Sequence, residues 1–222
     1  MNDWRISQWL RHPARCALAC ALLLTWMQPV GCATRQPGSG ATGGTGGVVA
    51  RGLEGTVEAS TDGEDWRRVD FADELGSGMT IRTGAGSHVD ARQATGSAVR
   101  LEEHGRMRLG TLGWEGNPAR PLVVLEVDLE AGSLVGVLRG VRGGSRHVVR
   151  FDGGVASTQG ADYQVTSGGR VAVVRGRMEV RVGETTAVVE EGAVFEAGGL
   201  SVRRLGTREE GLPWEALHSV SR

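Results

Sequence analysis

The sequence predicts an all-β protein built from many short antiparallel strands, arranged as a sandwich or as a solenoid. Apolar and polar residues alternate in short runs, most runs end at glycine, and helical periodicity is nearly absent. In the run from Leu125 to Glu130, for example, every second residue is Leu or Val and the others are acidic. This period of two is typical of strands with one buried face. Comparable runs start at Val99, Met107, Val149 and Val180.

The composition agrees with that fold class. The chain has 36 Gly among 222 residues and only 6 Pro. Glycine adopts positive φ at no steric cost, so this excess suits tight turns between strands. A hydrophobic fraction of 40% excludes a disordered chain. We expect about twelve to fifteen strands, given one turn signal in about every ten residues.

The first residues have the pattern of a bacterial export signal. Three Arg and a single acidic residue lie in residues 1–15, and an apolar run follows from Cys16 to Met27. That run is shorter than the roughly 20 residues of a membrane-spanning helix. The segment ends at Gly31 and Cys32, which resemble the lipobox of bacterial lipoproteins. The resemblance implies that Cys32 is lipidated and holds the protein at the periplasmic side of a membrane; ordinary cleavage with release, or an uncleaved anchor, are the alternatives.

The positions of the cysteines and the net charge argue against further kinds of site and partner. All 3 Cys lie in or at the end of the signal, so the exported body has no disulfide and no thiolate site. Loss of residues 1–31 leaves 22 Arg and 25 acidic residues, a net charge of -3. Neither this charge nor an exported location favours nucleic acid as a partner.

The Gly-rich stretch from Ala33 to about Gly47 consists of small residues with nothing to bury, and its Gly38-x-Gly40-x-x-Gly43 pattern lacks the flanking strand and helix of a dinucleotide loop. We therefore expect no cofactor.

Four segments follow from these patterns. The segments are a signal at 1–31, a Gly-rich tether at 32–50, a β-domain at 51–199 and a tail at 200–222, in which 212–218 is compatible with a helical turn. Within the β-domain we predict consecutive hairpins from Ala161–Thr166, Arg170–Val174, Met178–Val182, Thr186–Glu190 and Ala193–Ala197.

Catalytic patterns are missing from the body. Its His residues have no metal-binding spacing, and each is expected at the solvated surface. Ser87 and His88 are adjacent, so in a strand their side chains would point to opposite faces. Paired carboxylates such as Glu102 and Glu103 diverge for the same reason. The sequence thus predicts no enzyme activity and no metal site. The four His residues are His88, His104, His147 and His218.

Two kinds of residue are candidates for a contact surface. The densest basic stretch contains Arg139, Arg142 and Arg146, followed by Arg150, and would suit an anionic polymer or lipid head groups. Trp114 and Trp214 lie in less regular stretches and are candidate contact residues. The expected role of four further aromatic residues is to pack in the core or to cover a sheet edge; these are Trp66, Phe151, Tyr163 and Phe195.

Six short motifs occur in the same order as in a known family. The most specific is Leu75-x-x-Gly78-x-x-Ile81-Arg82-Thr83. With the other five it resembles the FecR domain family over about residues 52–199. The resemblance implies an exported β-domain that binds other proteins; only 15 residues precede the apolar segment, so we expect no anti-sigma region. The other motifs are Gly55-Thr56-Val57 with Asp62-Gly63-x-x-Trp66, Thr95 to Leu101, Leu129 to Leu134, Val155 to Val165, and Val171 to Val180.

Two functions are compatible with these observations. The first is a non-catalytic, lipid-anchored envelope protein whose β-domain binds an envelope protein, by strand addition at a free sheet edge, in signalling or assembly. The second is a module that binds the cell wall or a polysaccharide through the basic stretch and exposed Trp residues.

Lipidation is directly testable. We expect mass spectrometry of the mature protein to find an acylated Cys32 at the N-terminus. Cys32→Ala should abolish acylation, so the mass of the lipid should be absent from the variant. An unmodified residue 32 in the mature protein would refute the anchor.

Overall fold

The computed structural model describes residues 47–115, 122–138 and 143–206. Strands dominate these residues, which confirms the predicted all-β class. The one helical element among them is a 3-10 turn at Ala197–Gly199. The strands are β1 Val48–Glu54, β2 Val57–Ser60, β3 Arg67–Arg68, β4 Glu74–Leu75, β5 Thr80–Thr83, β6 His88–Arg92, β7 Ala98–Leu101, β8 Arg106–Glu115, β9 Leu122–Ala131, β10 Ser133–Val137, β11 Arg146–Phe151, β12 Gly154–Thr158, β13 Ala161–Thr166, β14 Arg170–Val182, β15 Thr185–Glu190, β16 Ala193–Glu196 and β17 Ser201–Arg204.

The strands form two ladders, which we call the front sheet and the back sheet. The front sheet has the order β3-β2-β5-β8-β9-β11-β12-β14-β15. The back sheet has the order β4-β1-β6-β7-β10-β13-β14-β16-β17. Across the described ranges, β9 and β11 are the one parallel pair. In each sheet, strands that come later in the chain mostly lie further along the sheet. The fold therefore has two packed sheets, as in a sandwich, and its strands follow one another along the sheets, as in a solenoid.

Strand β14 belongs to both sheets. Its first half pairs with β13 and β16, and its second half pairs with β12 and β15. Gly176 lies between the halves at a φ of 82°, where a Cβ would collide with the Gly160 carbonyl. The predicted strands 170–174 and 178–182 are therefore one bent strand. The predicted chain of hairpins was wrong here, because β16 returns to the first half of β14 instead of adding to β15.

The inner faces of both sheets build one apolar core. Strand β9 shows the rule, since its Val and Leu side chains at 123, 125, 127 and 129 are buried and the residues between them are partly exposed. The core also contains the predicted aromatic residues Phe151, Tyr163 and Phe195. On the opposite face of the back sheet, a smaller cluster joins Ala98, Val135 and Val137, with Val174 packed against it.

The strands extend beyond the domain limits predicted from the sequence. Strand β1 starts at Val48, inside the range given to the tether, because Val48 and Ala50 are buried in the core. Strand β17 lies in the range given to the tail and pairs with β16. The signal segment lies outside the described residues. Within them, no helix has the length and apolar character needed to cross a membrane.

Gly136 offers a test of the packing between strands β10 and β13. Its Cα pairs with Tyr163, and a Cβ at this position would fall on the Tyr163 ring. We expect Gly136→Ala to lower the free energy of unfolding by about 2 kcal/mol or more, because the tightly packed Tyr163 ring must shift to make room for the added methyl group. Gly113→Ala is the matched control, since a Cβ there meets no atom of the described residues within 4 Å. Equal urea midpoints for the two variants would contradict this packing.

Candidate functional site

A groove of about 780 Å³ crosses the outer face of the front sheet. It lies over β9, β11, β12, β14 and β15, and its floor consists of short side chains together with Glu179. Val148 is directly opposite Ser157, and Ser157 is directly opposite Glu179. These side chains face outward because their strand neighbours at 147, 149, 156, 178 and 180 are buried.

Four arginines border this floor, and we call the site the arginine groove. Arg146 and Arg150 come from β11, and Arg177 and Arg181 come from β14. On each strand the two arginines are four residues apart, or about 13 Å, and the two strands are about 10 Å apart with β12 between them. Long side chains therefore surround a floor of shorter ones, which produces a groove on a sheet face.

The two pairs of arginines differ in their partners. The parallel pairing of β9 with β11 places acidic side chains of β9 beside Arg146 and Arg150. Glu126 lies 3.2 Å from Arg146 and 3.3 Å from Arg150, which also lies 3.3 Å from Asp128. No carboxylate of the described residues lies within ion-pair distance of Arg177 or Arg181. The β14 side of the groove therefore has the arginines that are available to an anionic ligand.

Strand β15 borders the groove and forms an edge of the front sheet. It pairs with β14, and no strand of the described residues pairs with its other side. Val188 lines the groove and is 51% exposed. An unpaired edge with an exposed apolar side chain is a template for a further strand.

The structure brings two residues of the predicted basic stretch into this site. Arg146 and Arg150 lie at the groove, whereas Arg139, Arg142, Trp214 and the lipidation candidate Cys32 lie outside the described residues. Trp114 lies in β8, opposite Val123, and its side chain is likewise outside the described part.

Arg177 and Arg181 were missed by the sequence analysis. Their alternation with the buried Met178 and Val180 placed them on an outer face. Which strands flank that face depends on long-range pairing, and the sequence pattern did not indicate it.

His147 lies at the interior, which overturns the prediction that every His is at the solvated surface. It is 0% exposed. One ring nitrogen, Nε2, lies 2.5 Å from the Ser97 hydroxyl oxygen, and Nδ1 lies 3.0 Å from the Tyr163 hydroxyl oxygen. The alternation Val-x-Phe over 149–151 continues backwards to 147, so period two would have placed His147 on the inner face.

These contacts make His147 a buried, neutral link between the sheets. Its strand β11 belongs to the front sheet, whereas Tyr163 lies on β13 of the back sheet. A neutral imidazole can donate from one nitrogen and accept at the other, so two hydroxyls satisfy it. Burial lowers the pKa of His147 to about 3 and raises that of Tyr163. Ser97 is also fully enclosed, so this Ser and His contact is inaccessible to a substrate and stabilises the fold.

Metal ligands do not cluster in the described ranges. No three His, Cys, Asp or Glu side chains in them lie close enough together to hold a metal ion.

Comparison with known proteins gives a limited result. No family model matches the chain. No curated protein matches it either. Two crystal structures of a candidate anti-sigma factor from Parabacteroides distasonis ATCC 8503, at 1.65 and 2.50 Å resolution, are similar to it with TM-scores of 0.44 and identities of 19% and 18%. The similarity covers 56% of this chain and 58% of theirs. It is distant, and the resemblance to the FecR family stays a prediction.

The buried imidazole predicts a dependence of stability on pH. The pKa of His147 is lowered from 6.5 to about 3 in the folded state, so below pH 6.5 the unfolded chain binds a proton that the native chain does not. Stability should therefore fall as the pH falls from 6.5 towards 3. Between pH 6.5 and 5 the loss should be about 2 kcal/mol.

Urea unfolding at the two pH values measures this loss. His147→Gln should be less stable at pH 7 and should lack most of the pH-dependent loss. The control is His104→Gln, at an exposed position, which should keep it. An unchanged pH dependence in His147→Gln would contradict a neutral, buried imidazole.

Proposed function

We propose that this chain is an exported, non-catalytic envelope protein, anchored by a lipid on Cys32, whose FecR-like β-domain binds an envelope protein in signalling or assembly. The free edge of β15 carries this proposal. That edge is six residues long and has an exposed Val188 beside the groove. A partner that adds a strand there gains main-chain hydrogen bonds from the edge and side-chain contacts from the groove.

The other edges of the two sheets are less suited to a partner. Strands β3 and β4, at the opposite end, have only two residues each. Strand β17, the remaining edge, has four residues, all exposed, and two of them are Arg. Charged side chains on an edge disfavour strand addition. Strand β15 therefore offers the longest edge among the described residues.

A second function, binding of an anionic polysaccharide of the cell wall, is favoured by the four arginines of the groove. The described residues that line the groove include no aromatic side chain. A stacking surface for sugar rings is thus missing there, and protein binding remains our first proposal.

Photocrosslinking in cells that express this protein tests protein binding. A photoreactive amino acid in place of Val188 should give one discrete crosslinked product with an envelope protein, identified by mass spectrometry. The same replacement of Val202 is the matched control, since Val202 is 45% exposed on the edge of the back sheet. It should give no such product.

Substitution at the edge supplies the second measurement. Val188→Lys should reduce recovery of the crosslinked partner from a probe at Thr186 about tenfold, because a strand partner would have to cover the new charge. Val202→Lys should leave recovery unchanged. The proposal fails if Val188 gives no product, or if both Lys variants have the same effect.

A further inference from the structure

We infer that the β15 edge selects an extended peptide with an acidic residue two positions from an apolar one. This inference rests on the proposed function and specifies the partner's chemistry. The recognising surface consists of Arg181, Thr186, Val188 and Glu190, all on the outer face of the front sheet.

The register of β14 and β15 defines what each position of an added strand would meet. Arg181 is directly opposite Thr186, Glu179 is opposite Val188, and Arg177 is opposite Glu190. An added strand would lie on the other side of β15, about 5 Å from it and about 10 Å from β14. Its outward side chains would stand beside Thr186, Val188 and Glu190.

The position beside Thr186 favours an acidic side chain. Arg181 is exposed, with no carboxylate of the described chain within ion-pair distance, and Thr186 between it and the new strand is short. The guanidinium can extend over Thr186 and meet a carboxylate from the added strand. A guanidinium and a carboxylate that meet in this way form a charge-assisted hydrogen bond.

The next two positions have different requirements. Val188 is apolar and exposed, so a Val or Ile beside it would bury both side chains. Glu190 is acidic and exposed, so a basic side chain beside it is favoured and an acidic one is disfavoured. The edge therefore favours a peptide that has an acidic, an apolar and a basic side chain at every second position.

Binding of designed peptides to the purified protein, extracted from the envelope in mild detergent, tests this pattern. The probes are fluorescent Thr-Glu-Thr-Val-Thr-Arg-Thr and its reversed sequence, because a strand can add in either direction. Fluorescence polarisation at low salt should show one of them binding at least about fivefold more tightly than the same peptide with Glu replaced by Arg.

Charge reversal on the protein identifies the residue. Arg181→Glu should weaken the Glu peptide about fivefold or more and strengthen the peptide with Arg in its place. The matched control is Arg204→Glu, which makes the same charge change on β17 and should alter neither affinity. Equal effects of the two variants would overturn the inference, and so would equal binding of the Glu and Arg peptides.

Two further outcomes separate this inference from the proposed function. If Val188 crosslinks a partner but the Glu and Arg peptides bind equally, the proposal of protein binding is retained and the preference for an acidic residue is overturned. Polygalacturonate that binds more tightly than the peptides, and loses affinity in Arg177→Glu, would overturn the proposed peptide ligand and support an anionic polysaccharide in its place.

Discussion

Strand β14 holds the two sheets in one body, since it donates and accepts main-chain hydrogen bonds in both. Gly176 makes this passage compatible with the backbone, because its positive φ and missing side chain let the strand bend past Gly160. The first half of the strand contributes Val171 and Val173 to the core. The second half contributes the two available arginines of the groove. One bend thus connects the packing of the domain to its candidate contact surface.

A second link between the sheets is polar. The two ring nitrogens of His147 face hydroxyls from Ser97 and Tyr163, and all three residues are enclosed. A buried polar group is costly without partners, so this cluster requires a specific distance between the sheets. Burial also keeps the imidazole uncharged at neutral pH, because loss of solvation lowers its pKa to about 3. The same enclosure makes the cluster a part of the core and leaves recognition to the outer faces.

The outer face of the front sheet combines a charged groove with a free edge. Arg146 and Arg150 are largely neutralised by β9, because parallel pairing brings two acidic side chains alongside them. Arg177 and Arg181 form no ion pair among the described residues, although Glu190 lies directly opposite Arg177 and Glu179 lies between the two arginines on β14. The arginines without an ion-pair partner therefore lie on the side of the groove next to β15, where Val188 adds an apolar contact. A partner that approaches along this edge meets both features at once.

The sequence by itself determined the fold class, most of the strands and the inner face of each, because a period of two is a local property. The same rule would have predicted a buried His147, had it been applied to that residue. Only the tertiary structure decided that β14 is one bent strand, that β16 returns to its first half, and that Arg146, Arg150, Arg177 and Arg181 surround one groove. These outcomes depend on which strands pair, and strands such as β9 and β11, separated by β10 in the other sheet, pair through long-range packing that local alternation leaves open.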